Sequence, residues 1–132
     1  MSAQIISGRD IADEIRAELK DRAAHLKEES GVMPGLATVL VGENPASQMY
    51  VGMKNKAAVE MGIHSRQITL GVDTSEDELL GVVAGLNADP GIHGILVQLP
   101  LPNHINEERV LEAIHPSKDV DGFHPINVGR LA

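Results

Sequence analysis

The stretch Gly35-Leu-Ala-Thr-Val-Leu-Val-Gly42 decides the fold. Its side chains are almost all apolar, and three of them are β-branched, which is typical of a strand buried on both faces of a parallel sheet. Asn44-Pro45 follows at once and favours a helix start, because Asn is a preferred N-cap and Pro a preferred first helical residue. The sequence therefore predicts a buried strand that leads directly into a helix.

The same alternation of strand and helix extends in both directions from this stretch. Upstream, residues 9–30 predict a helix that ends at Gly31. Its apolar stripe consists of Ile11, Ile15, Leu19, Ala23 and Leu26. Downstream, the helix that begins at Asn44-Pro45 is expected to end near Met61, and residues 64–70 predict a more exposed strand.

The second half of the chain repeats the alternation. Thr74-Ser75 with Glu78 forms a capping box that predicts a third helix. The run Gly94–Pro100 predicts a third strand, and Asn106 is expected to cap a short helix that ends near Ile114. The tail from Lys118 to Ala132 has no clear period and is expected to be a loop with one helical turn.

Strands that alternate with helices predict an α/β fold, a three-layer domain with a mostly parallel sheet flanked by helices. In such sheets, binding sites form beyond the carboxyl ends of the strands. Three segments occupy such positions, namely Gly42–Pro45, Asp73–Ser75 and Gln98–Pro102.

Composition excludes several classes of protein. The chain of 132 residues is 42% hydrophobic and 23% charged, which fits one globular domain. Its net charge of −8 argues against nucleic-acid binding, and the lack of cysteine excludes disulfides and thiolate chemistry. No apolar run is long enough to span a membrane, so a cytoplasmic protein without a membrane partner is expected. No His-x-x-x-His pair occurs, and we expect no metal site.

Ser47, Tyr50 and Lys54 share one face of the second predicted helix, because their spacings are three and four residues. That helix starts beyond a strand end, so this face can line the crevice. A lysine beside a phenol and partly withdrawn from water can act as a general acid or base. A solvated lysine on a helix surface is the more common alternative and stays open at this point.

Gln98 interrupts the apolar third strand, where a buried amide needs partners for both its carbonyl and its NH2 group. It can bind a ligand, orient another catalytic group, or bond its own backbone. The following Leu99-Pro100-Leu101-Pro102 cannot continue a strand far, because proline donates no N–H. This segment predicts a stiff wall whose free carbonyls face a planar heterocycle.

Asp121 lies in the segment Lys118-Asp-Val-Asp-Gly-Phe123. The pattern partly resembles a calcium loop, but the remaining ligands and the closing Glu are missing. A carboxylate on such a loop can instead bind an amidine-like edge of a ligand through charge-assisted hydrogen bonds. An Asx-turn, which Asp-Gly favours, is the structural alternative.

Three segments taken together resemble one enzyme family. They are Ser47-x-x-Tyr50-Val-x-x-Lys54-x-Lys56, then Val97-Gln-Leu-Pro-Leu-Pro102, then Pro116-x-Lys-Asp-Val-Asp-Gly-Phe-His-Pro-x-Asn-x-Gly-Arg-Leu131. In this order they are similar to the bifunctional methylenetetrahydrofolate dehydrogenase/methenyltetrahydrofolate cyclohydrolase of one-carbon metabolism, which serves purine biosynthesis. The resemblance covers nearly the whole chain.

The resemblance implies a catalytic role for four residues. Lys54 would be the central general acid/base, Tyr50 would lie against the folate, and Gln98 would hydrogen-bond Lys54. Asp121 would bind the amino-pyrimidine edge of the pterin. Substrate contacts are also expected from Val97, Leu99, Pro100 and, with a lesser and mainly structural part, Ser47.

The resemblance also implies that residues 1–132 form the folate-binding catalytic domain of a two-domain enzyme. That enzyme oxidises methylenetetrahydrofolate with NADP, or NAD in some members, and hydrolyses methenyltetrahydrofolate to formyltetrahydrofolate. The family binds the dinucleotide on a separate Rossmann domain, which we expect to be absent here because no G-x-G-x-x-G occurs. A homodimer is expected for the full-length enzyme, and no metal.

Two functions of different classes stay open at this point. The chain is either the catalytic half of this folate enzyme or a non-catalytic folate-binding or scaffold fragment with the same fold. An unrelated α/β domain with a phosphate ligand at Gly42–Pro45 would require three coincidental motifs.

Overall fold

The computed structural model describes residue 5 and residues 7–131. The elements in chain order are α1 (Gly8–Ser30), β1 (Gly35–Val41), α2 (Pro45–Glu60), β2 (His64–Leu70), α3 (Glu76–Ala88), β3 (Gly94–Val97), α4 (Glu107–Ala113), a 3₁₀ turn (Pro116–Lys118) and α5 (Pro125–Leu131). Strands and helices alternate as predicted through α4, so the expected α/β class is confirmed.

The three strands form a parallel sheet in the order β2-β1-β3. The central strand β1 pairs along its whole length with β2 and over residues 36–39 with β3. Because parallel strands need crossover connections, α2 links β1 to β2 and α3 links β2 to β3. All three carboxyl ends therefore lie at one edge of the sheet.

The sheet is covered on both faces, which gives the predicted three layers. Ala37, Val39 and Val41 of β1 pack into one core with α3 and α4. Thr38 and Leu40 alternate with them and are also buried. Successive strand residues point to opposite faces, so these two face α2, whose Val51 and Ala58 are buried. The core is aliphatic, as the shortage of aromatic residues requires.

Side-chain caps fix where the helices begin. Asn44 accepts a hydrogen bond from the Ser47 N–H at the start of α2, and Ser75 accepts one from Glu78 at the start of α3. Asn106 does the same for Arg109 in α4. These N-caps are the ones that the sequence predicts, since each satisfies a backbone donor that has no partner within the helix.

Two boundaries differ from the prediction. Strand β3 ends at Val97 rather than Pro100, although the Gln98 N–H still donates to Val39 O at 2.9 Å. The prolines at 100 and 102 have no N–H with which to extend the ladder. The tail also contains more helix than expected, because α5 covers seven residues, about two turns, beginning at Pro125.

The apolar stripe of α1 lies mostly at the surface. Ala23 is its buried residue, whereas Ile11, Ile15, Leu19 and Leu26 are 37–50% exposed. The predicted helix is present, but its amphipathic face is only partly covered by the described residues. Among those residues, none of the helices combines the length and apolar character required to cross a membrane.

Candidate active site

The carboxyl edge of the sheet brings together residues that are far apart in the chain. Helix α2 starts beyond β1, and Gln98 follows β3 directly. Asp119, which precedes Asp121 by two residues, forms a parallel bridge with Ile95 of β3. Parallel strands end at a common edge, so these segments converge there. Of the three segments predicted as sites, the one after β3 contains Gln98, and the one after β1 leads into α2, which carries Lys54.

Lys54 and Gln98 are joined by a hydrogen bond. The Lys54 Nζ donates to Gln98 Oε1 at 3.0 Å, and the Gln98 Nε2 donates to Leu99 O at 3.1 Å. The second bond fixes the orientation of the amide, so its carbonyl oxygen faces the lysine. The Gln98 amide thus contacts Lys54 through its carbonyl oxygen and local backbone through its NH2 group.

Tyr50 lies one helical turn before Lys54 on α2. Its side chain is 51% exposed, and both residues line a groove of about 410 Å³ between α1 and α2. Arg16 of α1 lines the same groove. The phenol is thus available as an open, flat surface beside the amine, a suitable support for an aromatic ligand.

Asp121 lies within electrostatic reach of Lys54. Desolvation of its carboxyl group raises the pKa of Asp121, the Lys54 charge lowers it, and the charge of Asp119 raises it, with a net upward shift. The residue as a whole is exposed. A carboxylate that is partly desolvated yet open to a partner is suited to bind a cationic or amidine-like edge.

Asp119 has a different role from Asp121. Its Oδ2 accepts hydrogen bonds from the His124 N–H at 2.8 Å and from Asn127 Nδ2 at 3.0 Å. Desolvation opposes ionisation, but the Asn127 bond and backbone N–H groups outweigh it and lower the pKa of Asp119. Asp119 thus binds other residues of the chain, whereas Asp121 is exposed.

The other predicted contact residues are less accessible. Val97 is 2% exposed and belongs to the core, so its side chain is not available to a ligand. Ser47 is 3% exposed, and its N–H donates to the Asn44 cap at the start of α2. Leu99 is half-buried and Pro100 exposed, with a cis peptide bond between them.

The remaining segment predicted as a site, Asp73–Ser75, makes contacts within the fold. Ser75 caps α3, and the Thr74 carbonyl oxygen lies 2.7 Å from His104 Nε2. This segment follows the edge strand β2, away from β3 where Gln98 lies. It contributes no side chain to the group around Lys54.

The sequence pattern by itself predicts no role for Lys118 or Asn127, although both lie in the segment 116–131 that resembles the family. Lys118 Nζ donates to three backbone carbonyls, and Asn127 Nδ2 donates to both Pro116 O and Asp119 Oδ2. The only signal in the sequence is that Lys118 and Asn127 flank an irregular loop with a charged and an amide side chain. This signal does not identify the carbonyl and carboxylate groups to which they bind.

Chemically, the group offers one amine, one amide acceptor and one carboxylate around an open crevice. With one N–H directed at Gln98, Lys54 can exchange a proton with a bound water or ligand. No cluster of three potential metal-ligating side chains occurs among the described residues.

Comparison with known proteins gives a consistent result. A family model described as "Tetrahydrofolate dehydrogenase/cyclohydrolase, catalytic domain" matches residues 6–121. The chain is 56% identical over 131 residues to the bifunctional protein FolD of Syntrophobacter fumaroxidans and 61% identical over 127 residues to the bifunctional protein FolD 2 of Geobacter metallireducens. These matches cover 99% and 96% of this chain but 44% of each relative.

Solved structures give the same match. The bifunctional methylenetetrahydrofolate dehydrogenase/cyclohydrolase from Campylobacter jejuni superimposes with a TM-score of 0.92 at 51% identity, covering 94% of this chain and 44% of that one. The Trypanosoma brucei enzyme, solved with NADP and an inhibitor, also gives a TM-score of 0.92, at 39% identity, covering 99% and 45%. This chain thus spans less than half the length of the proteins that it matches.

Proposed function

Because this chain belongs to the tetrahydrofolate dehydrogenase/cyclohydrolase family, as its catalytic domain, we propose that it binds one-carbon tetrahydrofolates at the carboxyl edge of its sheet and takes part in their interconversion. The observation that carries the proposal is the hydrogen bond from Lys54 Nζ to Gln98 Oε1, with Asp121 close enough to be affected by the lysine charge. One general acid/base and one anionic anchor are thereby presented to the same crevice.

In the proposed hydrolysis, water attacks the bridge carbon of methenyltetrahydrofolate. Lys54 in its unprotonated form takes a proton from the water as the carbon–oxygen bond forms, and formation of that bond neutralises the cationic bridge. Ring opening then breaks one carbon–nitrogen bond, and the hydroxyl proton passes to the released nitrogen. The net products are formyltetrahydrofolate and one proton.

Binding of the pterin is assigned to Asp121, and support of the adjoining aromatic ring to Tyr50. A carboxylate accepts two parallel N–H bonds from an amino-pyrimidine edge, and the exposed phenol offers a flat apolar face. The backbone at Leu99 and Pro100 would form the wall beside the pterin, whereas Val97 and Ser47 would support it from beneath.

The oxidation of methylenetetrahydrofolate requires a dinucleotide as hydride acceptor, proposed to be NADP. The residues described here do not fit that group. The turn after β1, Gly42-Glu-Asn-Pro45, has one glycine rather than a phosphate-binding series, and Glu43 would repel a pyrophosphate. We therefore assign dinucleotide binding to a further domain and derive no step through it. A homodimer and a cytoplasmic location remain predictions.

A Lys54→Met variant tests the catalytic assignment. It keeps the length of the side chain and removes the amine that accepts the proton. Hydrolysis of methenyltetrahydrofolate should fall by about 100-fold or more, because general acid–base groups contribute on that scale. The melting temperature should change little, since Lys54 is exposed. Lys20→Met, on the exposed surface of α1, is the matched control and should keep full activity. Full activity of Lys54→Met would contradict the assignment.

A second candidate is folate binding without turnover. It is favoured by the openness of the site, since Tyr50, Lys54 and Asp121 are all exposed. Titration of this chain with tetrahydrofolate, combined with the hydrolysis assay, separates the two functions. Binding with Lys54-dependent hydrolysis supports catalysis, and binding without hydrolysis supports the second candidate. Absence of both would contradict the two together.

A further inference from the structure

Lys118 is bound to the end of a helix that lies outside the candidate site. Its Nζ donates to Leu86 O at 3.1 Å, Asn87 O at 2.8 Å and Asp89 O at 3.0 Å. These carbonyls belong to the last turn and the C-cap of α3, where acceptors lack the regular donor one turn further along the helix. An ammonium group has three donors, and here all three are used. Its charge also complements the negative end of the helix.

Asp119 binds residues that follow it in the chain, whereas the partners of Lys118 precede it. Its Oδ2 accepts from the His124 N–H and from Asn127 Nδ2, while Asn127 Nδ2 also donates to Pro116 O at 2.8 Å. These bonds close a ring from the start of the 3₁₀ turn to α5. The loop that contains Asp121 is therefore held from both sides.

The backbone of this loop also lies against β3. Asp119 forms a parallel bridge with Ile95, and a Cβ placed on Gly94 would come within 2.6 Å of Val120 Cγ1. Glycine at position 94 permits this close approach, because any larger residue would displace Val120. The hydrogen bonds of the Asp119 carboxylate, the bridge to Ile95 and the contact of Val120 with Gly94 thus fix the two residues that immediately precede Asp121.

We propose that Lys118 and Asp119 are positioning residues, which hold Asp121 opposite Lys54 by fixing its loop to the end of α3 and to α5. The proposal rests on the proposed function only in that Asp121 is taken as the contact to the folate. The charged groups that act on Asp121 are Lys54 of α2 and Asp119 of its own loop. The Asp119 carboxylate is held by hydrogen bonds and lies in the same loop as Asp121. Lys54 lies on a different element, so its effect on the pKa of Asp121 is the one that depends on the position of the loop.

A folate-free experiment tests the positioning itself. The titration of the Asp121 carboxyl is followed by NMR in wild type and in Lys118→Met, each with and without Lys54→Met. The Lys54 charge lowers the pKa of Asp121, so Lys54→Met should raise it in wild type. In the Lys118→Met background the same substitution should produce a clearly smaller rise. An equal rise in both backgrounds would overturn the proposal, whether or not the chain binds folate.

A double-mutant cycle then tests the consequence for ligand binding. Lys118→Met should weaken tetrahydrofolate binding by about 10-fold, because small displacements of a contact group carry losses of this order. In an Asp121→Asn background it should have almost no further effect, since the residue through which it acts is already altered. The same loss in both backgrounds would show a general structural role and overturn the proposal. Failure of wild type to bind tetrahydrofolate would contradict the proposed function alone.

Two further variants keep the test decisive. Lys20→Met, an exposed lysine of α1, is the control for loss of a positive charge and should leave both readouts unchanged. If Lys118→Met does not fold, Asn127→Ala replaces it, because this change releases the loop from the α5 side. Asn127→Ala should then show the reduced Lys54–Asp121 coupling and the Asp121-dependent loss of binding. Unchanged coupling and binding in folded Asn127→Ala would overturn the proposal.

Discussion

The Lys54 side chain depends on one neutral partner, the Gln98 carbonyl oxygen, for its position at the crevice. The amide is itself fixed by the backbone of Leu99. A neutral acceptor orients the amine through a hydrogen bond without forming an ion pair. The short chain of bonds explains why an amide occurs at the end of an otherwise apolar strand.

The first prediction concerns this amide. Gln98→Ala should reduce methenyltetrahydrofolate hydrolysis by about 10-fold or more, because Lys54 loses its orienting partner. The free energy of unfolding should fall by about 1 kcal/mol, the usual size of a hydrogen bond. Hydrolysis kinetics and urea unfolding measure the two effects. Gln48→Ala, an exposed glutamine on α2, is the matched control. Equal activity of the two variants would exclude an orienting role for Gln98.

At the scale of the elements, the start of α3 is bound to the start of α4. Glu76 accepts from the Asn106 N–H at 2.7 Å and pairs with Arg109 at 2.7 Å. The Glu76 side chain is 18% exposed, whereas that of Arg109 is 63% exposed. This junction holds the far end of the segment that begins at Gln98.

The second prediction separates the two bonds of Glu76. Glu76→Ala should lower the free energy of unfolding by about 1–2 kcal/mol, because a backbone N–H loses a charged acceptor. Arg109→Ala should cost less, about 0.5 kcal/mol, since exposed ion pairs contribute little. Urea unfolding of both variants gives the comparison. Equal losses would assign the stabilisation to the ion pair instead of the backbone bond.

At the scale of the whole molecule, stability is concentrated at the sheet. The strand β1 is buried between two layers of helices, while α1 buries only Ala23 of its apolar stripe. Local opening is governed by buried apolar contacts. The sheet and the helices packed on it therefore form the stable unit that supports the site.

The third prediction concerns this unequal stability. Hydrogen exchange should be slowest for the amides of β1 and much faster for those of α1. Exchange measured by NMR or mass spectrometry at several protein concentrations is the test. Protection of α1 equal to that of β1 at every concentration would contradict the prediction. Protection that rises with concentration would show that a second copy covers the stripe.

The fourth prediction concerns acid stability. Asp119 has a lowered pKa in the folded chain, so its stabilising contribution is present above the unfolded value of 3.8 and is lost as the pH falls through the folded pKa. Asp119→Asn should therefore destabilise the chain at neutral pH and progressively less in acid. The pKa shift of Asp121 has the opposite sign and should become smaller in this variant, because the charge of Asp119 is one of its causes. Urea unfolding between neutral and acid pH measures this difference.

The control for this pH dependence is Asp21→Asn, in the exposed middle of α1. It should change stability little at any pH, since an exposed carboxylate gains little on folding. A destabilisation by Asp119→Asn that stays constant as the pH falls would contradict the role assigned to the ionised carboxylate.

Much of the fold follows from local sequence. The apolar run at 35–42 and the caps Asn44, Ser75 and Asn106 predict the central strand and three helix starts, because propensity and capping act over a few residues. The recognisable motifs also bring Lys54, Gln98 and Asp121 to attention. These features are carried by neighbouring residues and need no knowledge of distant packing.

The contacts between distant segments depend on the tertiary structure. The strand order β2-β1-β3 brings Gln98 to Lys54 across 44 residues of chain and places Lys118 beneath the end of α3. The two aspartates of one loop then receive different surroundings, since Asp119 is hydrogen-bonded within the chain and Asp121 is exposed. Their residue type and local sequence are nearly the same, so only their surroundings in the folded chain, which set desolvation and hydrogen bonding, distinguish them.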